Sequence, residues 1–213
     1  MKKTQRSRPG RPKSAKKADA ILEAASLQFV AHGFDGTSMD EVAARAGVSK
    51  QTVYSHFGSK DELFVAVVRG KVEEYGLDAM DMPDDDDLRT GLETIGRRLL
   101  DLLLDEQVLA ASRLIIGEST RHPRIAQLYF ESGPARTRSS IVKYLVSQVK
   151  RGNFPPVDPE QAAMVFINLL RGPYHFPCLV NARPVPPKAE RSAHAAVSAD
   201  QFLKIFPRPP RSG

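Results

Sequence analysis

The sequence predicts an all-α protein in two parts, an amino-terminal helix-turn-helix domain of three or four helices and a carboxy-terminal helical bundle. Three observations carry this reading. Apolar residues recur at intervals of 3 and 4 through most of the chain, and no stretch of useful length alternates apolar with polar as a half-buried strand would. An acidic break, GLDAMDMPDDDD at 76–87, then separates two blocks, read as residues 18–75 and 88–206. Residues 1–17 are read as a basic arm without fixed structure.

The chain has 213 residues, of which 41% are hydrophobic, enough for a sizeable core. No apolar stretch approaches the roughly 20 uncharged residues of a membrane helix, and the basic amino terminus lacks the apolar region of a signal peptide, so the protein is expected to stay in the cytoplasm. Cys178 is the sole cysteine, which excludes an internal disulfide and a thiolate zinc cluster. The arm holds eight Lys and Arg and no acid, so the net charge of +6 leaves −2 for everything after it. Such an arm suits phosphates. Within it Arg8-Pro9-Gly10-Arg11-Pro12-Lys13 resembles a minor-groove hook in which Arg8 or Arg11 enters a narrow groove; a solubilising tail that touches only phosphates fits equally well.

From Ala18 the stripe Ile21, Leu22, Ala25, Phe29 marks a first helix ending near His32-Gly33, and Asp35-Gly36 turns the chain. Ser38 and Glu41 form an S-x-x-E capping box that starts a second helix at Met39. Val42, Ala43 and Ala46 lie on its inner face and Gly47 ends it. Val48 fills the corner, and Ser49 caps a third helix in which Val53 and Phe57 face inward. This is a helix-turn-helix. Its outward residues Lys50, Gln51, Thr52, Tyr54 and His56 carry groups suited to base edges and phosphates, although the rings of Tyr54 and His56 could instead pack against a neighbouring helix.

The run AARAGVSKQTVYSHFGSKDEL, with the preceding FVAHGFDGTS, resembles the signature of the tetracycline-repressor (TetR) family of bacterial transcription regulators over about residues 18–75. Gln51 stands where many members have Gly, which bears on the operator read and not on whether DNA is bound. After the break at Gly58-Ser59 the stripe Leu63, Phe64, Val67, Val68, Val72, Tyr75 marks a further helix, and the resemblance implies that it links the DNA-reading domain to the rest. Ser38 and Lys60 are expected on the DNA backbone, Lys60 aided by the positive end of its helix.

In the second block, helices are expected around Leu92–Leu103, Val108–Ile116, Ile125–Phe130, 134–151 and 159–171, the last kinking or ending at Gly172-Pro173. Residues 183–197 read as loose, and 199–206 as one or two final helical turns. The four aspartates of 84–87 lack the spacing and turn glycine of a cation loop and read as a solvated linker. Glu118, Ser119 and His122 hold the groups of a hydrolytic triad, but neighbours on one helix point in different directions. No metal spacing, phosphate loop or carboxylate pair occurs, so no cofactor, metal or catalytic residue is expected, and the chain is read as a non-enzyme.

The two long helices 134–151 and 159–171 carry wide apolar faces, whose surplus predicts a homodimer; a dimer also doubles the reach of one short recognition helix over a pseudo-palindromic operator. The family resemblance implies an effector pocket in the second domain for a small hydrophobic or aromatic molecule. Phe130, Met164, Phe166 and Phe176 could line it with Arg113 or Asn168 as polar anchors, though core packing explains the same residues. The expected function is a sequence-specific DNA-binding transcriptional regulator, a repressor whose affinity the effector changes; the alternative is a ligand-independent or architectural DNA binder.

Overall fold

The computed structural model describes residues 13–84 and 87–207. Arg8 and Arg11, with the rest of the proposed hook up to Pro12, lie outside them. Among the described residues the chain forms eleven α-helices and one π-helical turn, with no strand. It divides into two compact units, residues 1–67 and 68–213.

The first unit contains α1 (Lys13–Gly36), α2 (Met39–Ala46), α3 (Lys50–Phe57) and the first half of α4 (Lys60–Glu74). Helix α1 starts at Lys13, so 13–17, assigned above to the arm, are helical. Gly33 leaves helical geometry at φ 71°, a conformation that glycine adopts without a Cβ penalty. Beyond it Phe34 turns back to stack on Phe29 at 5.8 Å, and Phe64 of α4 meets both rings edge-on at 5.2 and 5.6 Å. Ile21, Ala25, Val42, Val53 and Leu63 are fully buried in this unit.

The second unit continues from α4 through α5 (Leu88–Leu103), α6 (Glu106–Glu118), α7 (Pro123–Phe130), a π-turn over Glu131–Ala135, α8 (Arg136–Lys150), α9 (Pro159–Arg171), the short α10 (His175–Leu179) and α11 (Lys188–Ile205). The expectation of loose chain over 183–197 is corrected: α11 begins at Lys188 and runs for 18 residues. It has few large apolar residues because it lies close to α5. Ala195, Ser198, Ala199 and Phe202 are buried, and a Cβ added at Gly96 of α5 would meet Leu170, Ala195 and Phe166. Phe202 stacks on Phe154 at 5.6 Å and meets Phe166 edge-on at 5.2 Å in the centre of the core. Arg89 with Asp200, and Arg191 with Asp101, tie α11 to α5 by further ion pairs at 2.7 and 2.8 Å.

The acidic break is also less free than its composition implies. Leu77 is fully buried in the core. Arg98 donates to the carbonyls of Gly76 and Asp81 at 3.0 and 2.7 Å, Arg136 to Asp78 at 2.9 Å, and Arg151 to Asp84. A guanidinium can collect carbonyls and carboxylates from an irregular segment in a way that helical periodicity cannot forecast.

Candidate nucleic-acid interface

Local chemistry builds the helix-turn-helix. The Ser38 hydroxyl accepts the Glu41 amide at 3.1 Å while the Glu41 carboxylate accepts the Ser38 amide at 3.1 Å, closing the capping box. Gly47, at φ 65°, lets α2 stop, and its amide and that of Val48 return to carbonyls of the last turn. Ser49 accepts the Thr52 amide at 3.2 Å and starts α3. Val53 is fully buried, which fixes the rotation of α3 and turns its other side to solvent.

On that outer side the structure places Lys50, Gln51 and Tyr54, all exposed, the Tyr54 ring at 43%. Thr52 and His56 are half-buried: the Thr52 hydroxyl shares a 2.8 Å hydrogen bond with Ser49, and the His56 ring lies 6.0 Å from Phe57. Ser38 is exposed, with its hydroxyl engaged in the cap. The Lys50 ammonium pairs with Asp40 of α2 at 2.8 Å and lies 5.9 Å from the centre of the Tyr54 ring. The hydrogen bond to Asp40 raises the pKa of Lys50 above its ordinary value. Asp40 was not singled out from the sequence. Its signal is an acid in the first turn of α2, ten positions before the first residue of α3.

Lys60 is engaged within the fold. Its ammonium donates to the Phe34 carbonyl at 2.8 Å and the Thr37 carbonyl at 3.1 Å, and sits 4.4 Å from the centre of the Phe34 ring. Two of its three donors therefore hold the turn between α1 and α2 and do not point at an external phosphate. The pairing joins residues 26 positions apart, which a reading by spacing within one helix misses.

The six side chains expected to line an effector pocket are distributed over α6, α7, α9 and α10. Phe166 lies on the inward side of α9 with Ala162, Ala163 and Leu170 and is fully buried in the core. Met164 and Asn168, four apart, share the exposed side of that helix. Phe130 and Phe176 are 53% and 68% exposed. Arg113 donates to the carbonyls of Cys178 and Leu179 at 3.4 and 3.2 Å, anchoring α10 to α6. Nearby, the Tyr129 hydroxyl shares a 2.7 Å hydrogen bond with Ser112, and burial raises its pKa. His175 is lowered by burial and by Arg171, and burial raises Cys178.

Ser119 donates to the Ile116 carbonyl at 2.8 Å, and His122 lies 3.7 Å from Glu118. Among the described residues no group of His, Cys, Asp and Glu could hold a metal ion, and no helix is long and apolar enough to cross a membrane.

Comparison with known proteins follows the same division. Residues 21–67 match the model for bacterial regulatory proteins of the tetR family, and residues 90–207 match that for the AefR-like transcriptional repressor C-terminal domain. The chain is 30% identical to the HTH-type transcriptional regulator YhgD of Bacillus subtilis, over 70% of this chain and 78% of that one. It is 39% identical to the HTH-type transcriptional repressor SCO4008 of Streptomyces coelicolor over 30% of this chain and 34% of the repressor. A TetR-family regulator from Mesorhizobium loti superposes with a TM-score of 0.74 at 32% identity, covering 92% of this chain and 99% of that one. The flavonoid-responsive regulator FrrA gives 0.69 at 30%, covering 93% and 100%. With a capped helix-turn-helix at one end and a repressor-type helical domain over more than half its length, the chain belongs to the TetR family of transcriptional regulators.

Proposed function

We propose that this regulator represses transcription as a homodimer whose two α3 helices enter successive major grooves of a pseudo-palindromic operator, and that a small hydrophobic or aromatic effector in the second unit alters its DNA affinity. The observation that carries the DNA reading is the outward side of α3, where Lys50, Gln51 and Tyr54 stand exposed on a helix anchored by the buried Val53. An ammonium, an amide and a phenol on one helical side match the donors and acceptors of base edges and phosphates. Thr52 and His56, closer to the fold, contribute at the margin of the same side. Ser38 lies beside the backbone of the duplex, and Arg8 and Arg11 run along phosphates.

Self-association is supported by apolar residues that remain partly open on the two long helices: Val142, Val146 and Val149 on α8, and Val165 and Leu169 on α9. A second copy placed by two-fold symmetry would cover them. An apolar effector is supported by the response to flavonoids named for FrrA and by the exposed rings of Phe130, at the end of α7, and Phe176, on the Arg113-anchored α10. Such a ligand acts by preferring the conformation with the wrong spacing between the two α3 helices.

Selection of duplexes from a random pool tests the core of this reading. A single enriched motif with two-fold symmetry, bound far more tightly than unrelated DNA, is the expected result. Binding without sequence preference would favour the architectural alternative. Thermal-shift screening of aromatic and hydrophobic metabolites tests the effector, with stabilisation by at least one compound expected.

A further inference from the structure

We propose that Asp40 sets the specificity of this regulator, by holding the Lys50 ammonium so that a base edge can accept the pair and a bare phosphate cannot. The inference rests on the reading that α3 enters the groove. Asp40 and Lys50 sit on different helices of the motif, and their carboxylate and ammonium meet at 2.8 Å while both remain well exposed, at 63% and 59%. An ion pair so open to water contributes little to folding. It does, however, put a fixed negative charge at the amino-terminal end of the reading helix, the part of a helix-turn-helix that contacts base edges.

The two kinds of DNA contact treat such a pair differently. Binding to unrelated sequence is almost entirely phosphate neutralisation, and there Asp40 withholds the Lys50 ammonium, whose charge is spent on the carboxylate instead of on a phosphate. A G·C pair in the major groove offers guanine O6 and N7 to the ammonium and the cytosine N4 amine to the carboxylate, so both partners can be satisfied together. Asp40 therefore weakens the wrong complex more than the right one, which is how a repulsive element raises selectivity.

The test compares wild type, Asp40→Asn, Lys50→Ala and the double variant by fluorescence anisotropy. Each is titrated against a duplex enriched from a random pool and against a scrambled duplex of the same composition, across a salt series. Asp40→Asn is expected to bind the scrambled duplex about fivefold more tightly, the scale of one exposed charge contact. Its affinity for the enriched duplex should not gain to match, so the specificity ratio falls. In the Lys50→Ala background the same change should leave the ratio where it was. Equal ratios for wild type and Asp40→Asn, with Lys50→Ala still weakening the enriched duplex, would overturn the role of Asp40 and leave the reading of α3 standing. An undiminished effect of Asp40→Asn without Lys50 would overturn the coupling, since Asp40 would then repel phosphates on its own. Lys50→Ala and Tyr54→Ala both binding like wild type would overturn the placement of α3 itself, and this inference with it.

Discussion

The Tyr75 hydroxyl donates to the Asp105 carboxylate at 2.7 Å, joining the residue that follows α4 to the N-cap of α6. Asp105 also caps α6, accepting the amides of Gln107 and Val108 at 2.9 and 3.0 Å, and Lys71 stands 3.6 Å away. Burial alone would raise the Asp105 pKa; the Tyr75 hydroxyl, the two amides and Lys71 outweigh it and hold the carboxyl below its ordinary range. A depressed carboxylate stabilises the fold above its unfolded pKa of about 4 and loses that contribution as pH falls through the folded value. Tyr75→Phe should therefore cost about 1 kcal/mol near pH 7, and the gap to wild type should narrow below about pH 4. Urea denaturation over that pH range measures it; a gap that widens on acidification would contradict the assignment.

Lys60 is predicted to act through the turn that it holds. Replacing it with Met keeps the aliphatic stem and removes the donors to Phe34 and Thr37. Stability should drop by about 1–2 kcal/mol, because two backbone carbonyls lose a charged partner. DNA affinity should weaken with little change in the slope of log affinity against log salt, whereas loss of a phosphate contact would reduce that slope by about 1.

At Gly91 of α5, an added Cβ would collide with the hydroxyl of Tyr144, a buried residue of α8. Gly91→Ala should destabilise the second unit by about 1–3 kcal/mol. Because the clash is with the hydroxyl oxygen, the same change made in Tyr144→Phe should cost less than it does in wild type, a coupling that a double-mutant cycle reads directly.

For the reading face, Lys50→Ala and Tyr54→Ala should each weaken binding to the selected operator by about 1–3 kcal/mol while leaving the melting temperature unchanged, since both side chains are exposed. Mobility shifts and melting curves on the same preparations separate a lost contact from a lost fold.

The first unit was legible in the chain because its signals are local. Ser38 with Glu41, Gly47 and Ser49 each act on backbone groups within a few residues, and their order spells the motif before any tertiary contact is known. The partners of Lys60 were not legible for the opposite reason, since Phe34 and Thr37 lie more than twenty residues away. In the second unit the stripes of α5 and α9 were plain, with Leu92, Ile95 and Leu99 on one and Ala162, Phe166 and Leu170 on the other.

The first half of helix α11 escaped notice because it packs by small residues. Ala195, Ser198 and Ala199 meet a glycine-bearing side of α5, so close approach takes the place of large apolar side chains. At Phe166 the chain is ambiguous in the same way: an aromatic residue at helical spacing suits a cavity wall and a packed centre alike, and Phe202 packs against its ring. The π-turn before α8 carries Pro134, and composition gave no warning that one helical run would be re-phased there.

Phe202 reaches the middle of the second core from α11, the last helix among the described residues. During synthesis on the ribosome, the rings of Phe154 and Phe166 thus lack their cover until translation has passed Ile205, whereas every residue of the first unit's core is available by Phe64. The domain that reads DNA is positioned to mature first, and a nascent chain halted before α11 would expose an oily interior to chaperones and proteases.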